Sequence, residues 1–374
     1  MSIAAVLNTH WPAYVAKFGR LIPEEQHAAV RAILRCRTPA LGGSRYRCAC
    51  GSEHFAWHSC NHRACPRCGR DDAALWLEHQ RTRLLPVPYF LVTLTVPEPL
   101  RECIRAAQKL WYGALLKEGA GALQDLAADP KHLGAELGIT AMLQTWTRDL
   151  RYHPHVHLLV PGGGLTRNQL RWVRVADPQF LVPQVKLAAR FKGRLKAWLQ
   201  EHEPELFQAV PAKVWWIKWV ADVQPVGSGS PREISEHSGE QHKRPKAISR
   251  GEAALKYLAN YLVKPPLHDT QIERWDEHRV TYRYRDNGGA QRHCTVSGSE
   301  FVRRFLQHVL PRGFQRVRHY GWLGAAAAQK RERIAALLDW KAPAPVKPAP
   351  LPLPTCPGCG KPMVLLGTLP RAPT

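Results

Sequence analysis

The sequence has few acidic residues and no long apolar run. Its 374 residues include 30 Asp and Glu against 53 Lys and Arg, which gives a formal net charge of +23. Such a surplus of positive charge attracts polyanions, of which nucleic acid is the commonest. The longest apolar runs, such as "YFLVTLTVP", fall well short of the ~18 residues that a membrane span needs. We therefore expect no membrane partner.

A secretion signal is also missing from the N-terminal stretch "MSIAAVLNTHWPAYV", which has no basic start followed by an apolar segment. We therefore expect a cytoplasmic protein, in which cysteines bind metal more often than they form disulfides. Six of the ten cysteines fall between Cys36 and Cys68. This clustering predicts a zinc module rather than inert thiols.

Zinc in a structural site takes four tetrahedral thiolate or imidazole ligands, commonly as two close pairs. Cys65-Pro-Arg-Cys68 has the spacing of such a pair, whereas Cys48-Ala-Cys50 is tighter than usual, and His58 or His62 could replace a ligand. Near the C-terminus, Cys356 and Cys359 form half a site, whose other two ligands the sequence does not identify. The ligands of the N-terminal module are predicted to come from Cys36, Cys48, Cys50, Cys60, Cys65 and Cys68.

The stretch "HPHVHLLVPGGG" places three histidines at alternate positions, His153, His155 and His157. On a strand, residues two apart point the same way, so these imidazoles share one face while Val156 and Leu158 pack into the core. Imidazoles one pleat apart can converge on a divalent ion. A surface ladder of histidines is the alternative interpretation.

A later stretch, "EAALKYLANYLVKPP", predicts a helix over about residues 252–263. Tyr257 and Tyr261 are four residues apart and therefore lie one turn apart on a single face, which Lys264 continues. Tyrosines at this spacing are usually packing residues. This helix, however, carries enough leucines to pack without them.

Together these motifs resemble the HUH single-strand endonucleases, and most closely the rolling-circle transposases of the insertion-sequence-91 family. The resemblance begins at "CRTPALGG" and "SCNHRACPRC" and continues through "HPHVHLLVPGGG" and "YLANYLVKPP". It extends over "YRYRD", "EFVRRFLQHVLPRGFQRVRHYG" and the closing "CPGCG". These segments cover nearly the whole chain in the order found in the family.

The resemblance implies an α+β fold, with an HUH-type antiparallel sheet covered by helices and preceded by a small zinc-binding module. It also implies a catalytic Mg²⁺ or Mn²⁺ held by His155 and His157. Where the family has "HTW", this chain has Gln144-Thr145-Trp146. An amide oxygen suits a hard cation, so Gln144 is the candidate third ligand, with His153 and Asp149 as competitors.

The implied reaction is the nicking and rejoining of single-stranded DNA through a 5′-phosphotyrosine. Tyr257 and Tyr261 are the expected nucleophiles, and Lys264 is expected to act with them. The protein is then an enzyme that works on DNA at the bacterial nucleoid. The arginines predicted to contact DNA are Arg63, Arg67, Arg303, Arg304, Arg316 and Arg318.

Three regions are expected along the chain. Residues 1–82 form the zinc module, residues 85–325 the catalytic domain with a polar insertion at about 226–250, and residues 326–374 a basic helix, a Pro-rich linker and the "CPGCG" knuckle. Shorter patterns predict a strand in "YFLVTLTVPEPL" and another in "VTYRYRD". Helices are predicted in "PEEQHAAVRAILRCR", "VPQVKLAARFKGRLKAWLQ" and "SEFVRRFLQHVLP".

Three other functions are compatible with parts of the sequence. A plasmid-type replication initiator or relaxase shares the chemistry but has no need of the zinc module and C-terminal block. A zinc-dependent DNA-binding regulator leaves the histidine strand and the tyrosine helix unexplained. A metal-dependent hydrolase calls for further His and Asp ligands downstream and has no use for a tyrosine pair.

Overall fold

A computed structural model describes residues 1–68, 70–226, 255, 265–286, 288–344, 346 and 353–372. Its elements define an α+β fold with antiparallel sheets. The helices are α1 (Ile3–Phe18), α2 (Glu24–Arg35), α3 (Arg70–Arg81), α4 (Arg101–Ala106), α5 (Gln108–Ala128), α6 (Gln184–His202), α7 (Pro204–Ala209), α8 (Lys213–Trp216), α9 (Gly298–Leu306) and α10 (Ala328–Leu337). The strands are β1 (Gly43–Arg47), β2 (Glu53–Trp57), β3 (Tyr89–Thr95), β4 (Gly138–Trp146), β5 (Tyr152–Pro161), β6 (Gly163–Leu165), β7 (Trp172–Arg174), β8 (Val220–Val226), β9 (Ile272–Trp275), β10 (Arg279–Arg285), β11 (Gln291–Ser297), β12 (Val317–Gly321) and β13 (Val364–Leu369).

The central sheet has five strands in the order β12-β4-β5-β3-β8, and every neighbouring pair is antiparallel. The alternation predicted for β3 is confirmed: Phe90, Val92 and Leu94 are fully buried in the largest hydrophobic core. Helices α5 and α6 contribute Leu115, Leu123, Phe191 and Leu195 to the same core. Burying each such side chain contributes about 1.5–3 kcal/mol, so this face fixes the sheet and its register.

The opposite face of the central sheet carries the histidines. Strand register places Thr93 beside His157 and Thr95 beside His155 on one side. On the other side β4 places Gln144 beside His155. Because side chains alternate along a strand, these residues share the face away from the main core.

Part of this histidine face is covered by apolar side chains. Tyr89, Met142, Leu159 and Leu255 are buried in one cluster there, and Trp76 and Leu77 of α3 pack against it. The cover adjoins the histidines, since Met142 is the register partner of His157.

The N-terminal helices pack against residues from the second half of the chain. Ile3, Leu7 and Ile33 share a buried cluster with Tyr282 of β10 and Phe305 of α9. Helix α1 begins at a capping residue, Ser2, whose side chain accepts from the Ala5 N–H, and α9 begins in the same way at Ser297. The three-stranded sheet β11-β10-β9 therefore shares a core with the N-terminal helices.

A second small sheet joins the two ends of the chain. Strand β13 pairs antiparallel with β1, which pairs with β2 on its other side, and Gly43 lies opposite Leu369. Gly42 has a φ of +70°, and a Cβ there would lie 2.5 Å from the Leu369 carbonyl oxygen. Glycine is therefore required at this position for the C-terminal strand to approach so closely.

Several predicted elements are confirmed at α2, β3, α6, β10 and α9. The helix predicted at 252–263 lies outside the described residues except for Leu255, and so does the polar insertion from residue 227 onward. Among the helices that the structure describes, none is long and apolar enough to cross a membrane.

Candidate metal centres and histidine site

Four cysteines of the N-terminal region, Cys36, Cys60, Cys65 and Cys68, converge on one point. Their Sγ atoms all lie within 4.8 Å of one another, with 3.3 Å between Cys36 and Cys68 and 3.6 Å between Cys60 and Cys68. A tetrahedral zinc with Zn–S bonds of about 2.3 Å places its sulfurs about 3.8 Å apart. The separations therefore fit a structural zinc ion.

Local backbone geometry brings these thiols together. Cys36 ends α2, where its N–H bonds the Ile33 carbonyl. The Cys65–Cys68 turn closes with the Cys68 N–H on the Cys65 carbonyl. Hydrogen bonding from the Cys65 thiol lowers the pKa of Cys60 to about 5, which favours the thiolate that binds metal.

The six cysteines predicted as zinc ligands all lie in cysteine clusters, but in two separate ones. Cys48 and Cys50 do not join the first cluster; they lie with Cys356 and Cys359 of the C-terminal knuckle. The six cysteines are close together along the chain. The pairing of β1 with β13, however, brings Cys48 and Cys50 beside Cys356 and Cys359. Among the described residues, neither cluster includes His58 or His62.

Replacing Cys65 with serine is expected to remove one zinc ion per chain. Serine is a poor zinc ligand, and the buried cluster then has three thiols with no ion to hold them. The variant should also unfold at a lower temperature, because Cys65 and Cys68 belong to the core shared by α1, α2 and α9. Zinc analysis and thermal denaturation test this, with Cys103→Ser, a cysteine outside both clusters, as the control. Unchanged zinc content would contradict the assignment.

His155 and His157 are both buried, at 8% and 5% exposure, and their ring centroids are 4.8 Å apart at an interplanar angle of 81°. The Nδ1–H of His155 donates to the His153 carbonyl over 2.7 Å. That bond fixes the tautomer and makes Nε2 the nitrogen that carries the lone pair. His155 therefore has the backbone hydrogen bond that commonly orients a metal-binding imidazole.

His157 contacts the candidate third ligand directly. Its Nε2 lies 3.1 Å from Oε1 of Gln144, and its Nδ1 lies 3.1 Å from Oγ1 of Thr93. The Gln144 amide nitrogen donates to the Trp146 carbonyl, which turns Oε1 towards His157. Two adjacent ligands of an octahedral ion with bonds of about 2.1 Å lie about 3 Å apart. The Gln144–His157 pair has this separation and fits Mg²⁺ or Mn²⁺.

Burial keeps these histidines neutral. It lowers the pKa of His157 to about 4, with a smaller contribution from the charge of Arg316. Burial and then the neighbouring His157 lower the pKa of His155 well below its usual value. Neutral imidazole is the form that binds metal, so neither ring carries a second proton at neutral pH.

The competing ligands have other contacts. The Asp149 carboxylate lies in the turn after β4, where it accepts from Thr147 Oγ1 and from Nε of Arg151. The His153 ring centroid lies 5.2 Å from that of His155. Of the three candidates, Gln144 has a side-chain hydrogen bond to His157.

Tyr257, Tyr261 and Lys264 lie outside the described residues. Leu255, two positions before Tyr257, is described and is 2% exposed. It is buried with Met142 and Leu159, residues of the histidine face.

The arginines predicted to contact DNA all contact protein atoms. Arg63 donates to three carbonyls, among them that of Phe314, and Arg67 pairs with Asp269 at 3.1 Å. Arg303 and Arg304 both pair with one carboxylate, Glu300. The Arg316 guanidinium stacks on the Trp146 ring and that of Arg318 on the Phe314 ring. These contacts position the side chains, and their contact with DNA stays a prediction.

Sequence reasoning missed two features of the site. The first is the hydrogen bond between Thr93 and His157, which depends on the register of β3 against β5. Arg316 lies close enough to lower the pKa of both histidines. Arg316 directly precedes β12, and its position depends on the pairing of β12 with β4, which is far away along the chain. The sequence alone could not show it.

Two family models match this chain. Residues 138–332 match a family described as "Putative transposase", and residues 6–96 match the "Transposase zinc-binding domain". A protein of Sinorhizobium fredii named "Putative transposase y4qJ" is 33% identical over 92% of this chain and 85% of its own length. The "Transposase for insertion sequence element IS801" of Pseudomonas savastanoi pv. phaseolicola is 27% identical over 84% of this chain and 75% of its own. No solved structure matches.

The chain is a transposase with a zinc-binding domain at its N-terminal end. More particularly, it belongs to the insertion-sequence-91 family, as the resemblance of its motifs predicted.

Proposed function

We propose that this transposase nicks and rejoins single-stranded DNA through a 5′-phosphotyrosine during rolling-circle transposition. The observation that carries the proposal is the cluster of His155, His157 and Gln144 on one face of the central sheet. Their ligand atoms suit a hard divalent cation. A metal site gives the histidine strand a chemical role, whereas a DNA-binding regulator has no use for one.

The nucleophile is assigned to the tyrosine pair. Leu255 is buried on the histidine face, and Tyr257 and Tyr261 follow two and six positions later. Because the chain returns to this face immediately before the tyrosines, their hydroxyls are expected within reach of the histidine pair. Lys264, which follows in the same stretch, is assigned to the neutralisation of charge on the phosphate.

The reaction conserves the phosphodiester energy. The tyrosine Oη attacks the scissile phosphorus and loses its proton to solvent, the P–O3′ bond breaks, and the departing strand ends in a 3′-OH. In the rejoining step a 3′-OH attacks the phosphotyrosine and releases the tyrosine. A bound Mg²⁺ or Mn²⁺ supplies polarisation of the phosphate and stabilises the charge that develops on it.

The substrate is assigned as single-stranded DNA at the ends of the element and at the target. A net charge of +23 attracts the backbone, and a phosphate at the buried histidine pair has to come from a strand freed from its complement. Work on this substrate places the protein in the cytoplasm, at the nucleoid.

The proposal is tested by covalent capture. Single-stranded DNA carrying the element's terminal sequence and a label on the 3′ side of the scissile phosphate is incubated with protein and Mg²⁺ or Mn²⁺. A labelled band that migrates with the protein on a denaturing gel, and that EDTA prevents, is the expected result. Release of free labelled DNA in place of the adduct would indicate a hydrolase instead.

Changing Gln144 separates the third ligand from its competitors. Gln144→Ala removes the oxygen that lies 3.1 Å from His157 Nε2, so half-maximal cleavage should need about 10–100-fold more Mn²⁺, the range for lost support of a metal site. Gln144→Glu retains an oxygen ligand and should remain close to the native requirement. Titration of cleavage against Mn²⁺ measures the effect. An unchanged requirement in Gln144→Ala, with an increase in Asp149→Ala, would give the role to Asp149.

A further inference from the structure

The second cysteine cluster, Cys48, Cys50, Cys356 and Cys359, is built from both ends of the chain. Sγ of Cys48 lies 3.4 Å from that of Cys359, and Sγ of Cys50 lies 3.6 Å from that of Cys356. The separation between Cys50 and Cys359 is 3.8 Å. These four sulfurs have the same spacing as those of the first cluster, near the edges of about 3.8 Å expected around a tetrahedral zinc.

Two tight turns present the thiols. In the first, the Cys48 N–H bonds the Ser52 carbonyl, and Gly51 adopts a φ of +89°. In the second, the Gly360 N–H bonds the Cys356 carbonyl, and Gly360 adopts a φ of +70°. The backbone N–H groups of Gly358 and Cys359 also point at Sγ of Cys356. The two turns therefore direct their thiols towards one point.

The four thiols are not joined in disulfides. The sulfurs of a disulfide lie about 2.05 Å apart, whereas Sγ of Cys48 and Sγ of Cys359 are 3.4 Å apart. Four thiolates in a tetrahedron select zinc over Mg²⁺ or Ca²⁺, which prefer oxygen ligands.

Burial does little to hold the C-terminal strand. Only Cys48, Cys356 and Met363 are buried in the cluster at this sheet, with Tyr46 packed against them. On β13 itself Val364, Leu365 and Leu366 are 66%, 49% and 46% exposed. A strand with so little apolar burial needs another source of stability, and a structural metal is a common one.

We propose that Cys48, Cys50, Cys356 and Cys359 bind a second zinc ion, which fastens the C-terminal strand β13 to β1. Neither family match includes Cys356 or Cys359, since the zinc-binding match covers residues 6–96 and the other ends at residue 332. The ion closes a loop of about 300 residues, and the entropic cost of such a loop increases only slowly with its length.

The two zinc sites differ in accessibility. Three ligands of the first site are buried, whereas Cys50 and Cys359 of the second are exposed. A chelator should therefore remove the second ion first, and zinc release should show two phases. Release of the ion in the faster phase should free the C-terminal strand, while the core of α1, α2 and α9 stays intact.

The stoichiometry of zinc in the full-length protein tests this proposal. Native protein should contain two zinc ions per chain, and Cys359→Ser should contain one. Cys103→Ser, outside both clusters, should keep two. One ion in the native protein with no change in Cys359→Ser would overturn the proposal.

Two further measurements cover a variant that does not fold. X-ray absorption at the zinc edge of the native protein should show only sulfur ligands, at about 2.3 Å. The signal averages both zinc ions, so nitrogen or oxygen ligands in it would contradict four cysteines at each site. A protease site inserted between residues 347 and 352 allows the C-terminal piece to be cut free of the linker. After cleavage, that piece should remain bound to the rest of the protein until a chelator is added. Dissociation on cleavage, before any chelator, would also overturn the proposal. None of these readouts depends on DNA cleavage.

Discussion

His157→Ala should abolish cleavage of single-stranded DNA while DNA binding is largely retained. His157 joins the site at two points, because its ring contacts Gln144 on β4 and Thr93 on β3. Alanine removes one ligand and leaves the Gln144 amide without the imidazole that faces it. Loss of several kcal/mol of charge stabilisation corresponds to a decrease of about 1,000-fold in the cleavage rate. Binding relies on charge distributed along the chain, and that charge is unchanged.

His319→Ala is the matched control. His319 is a partly buried histidine of the same sheet, and its Nδ1 lies 3.1 Å from Oγ1 of Thr140, as that of His157 does from Thr93. Burial lowers the pKa of His319 to about 4, so this ring is neutral as well. The control should cleave at close to the native rate. Cleavage rates and gel-shift affinities separate the outcomes: equal loss of binding and cleavage in His157→Ala would indicate a structural role, and unchanged cleavage would refute the metal assignment.

Much of the site could be predicted because its signals are local. Alternation along β3 and β5 fixes which residues share a face, so both strands were predicted and are confirmed, and their register places Thr93 and Thr95 beside the histidines. Gln144 was chosen as third ligand from the "QTW" that replaces the family's "HTW". Its contact with His157 supports that choice, and its metal ligation stays a prediction.

The features that could not be predicted are those set by contacts between distant parts of the chain. Nothing in the spacing of Cys48 and Cys50 shows that their partners lie about 300 residues later, because that pairing depends on β13 adding to β1. The shared core of α1 and α9 is of the same kind. The arginines illustrate a further limit: composition predicts a basic surface, but only the fold shows that the Arg303 and Arg304 charges meet Glu300.

Changing both Tyr257 and Tyr261 to phenylalanine should leave a protein that folds and binds DNA but forms no covalent adduct. Phenylalanine keeps the ring and its packing and removes only the nucleophilic oxygen, so the melting temperature should change little. Tyrosine oxygen is a poor nucleophile when neutral, with a pKa near ~10, so attack should depend on a phosphate polarised at His155 and His157. The adduct should therefore disappear in the double variant and also in native protein treated with EDTA.

The single variants resolve the order of attack. On a helix, positions four apart lie roughly 6 Å from each other, so either hydroxyl could serve a phosphate at the histidine pair after a modest shift. Each single variant should lose transposition, because two DNA ends need two tyrosines, and one of them should keep single-strand cleavage. Tyr284→Phe, at a partly buried tyrosine of β10 that packs against the core shared by α1 and α9, is the control and should keep both activities. Covalent capture of labelled DNA and a transposition assay are the measurements. An adduct of native yield in the double variant would show that another residue attacks, and the tyrosines would then be packing residues.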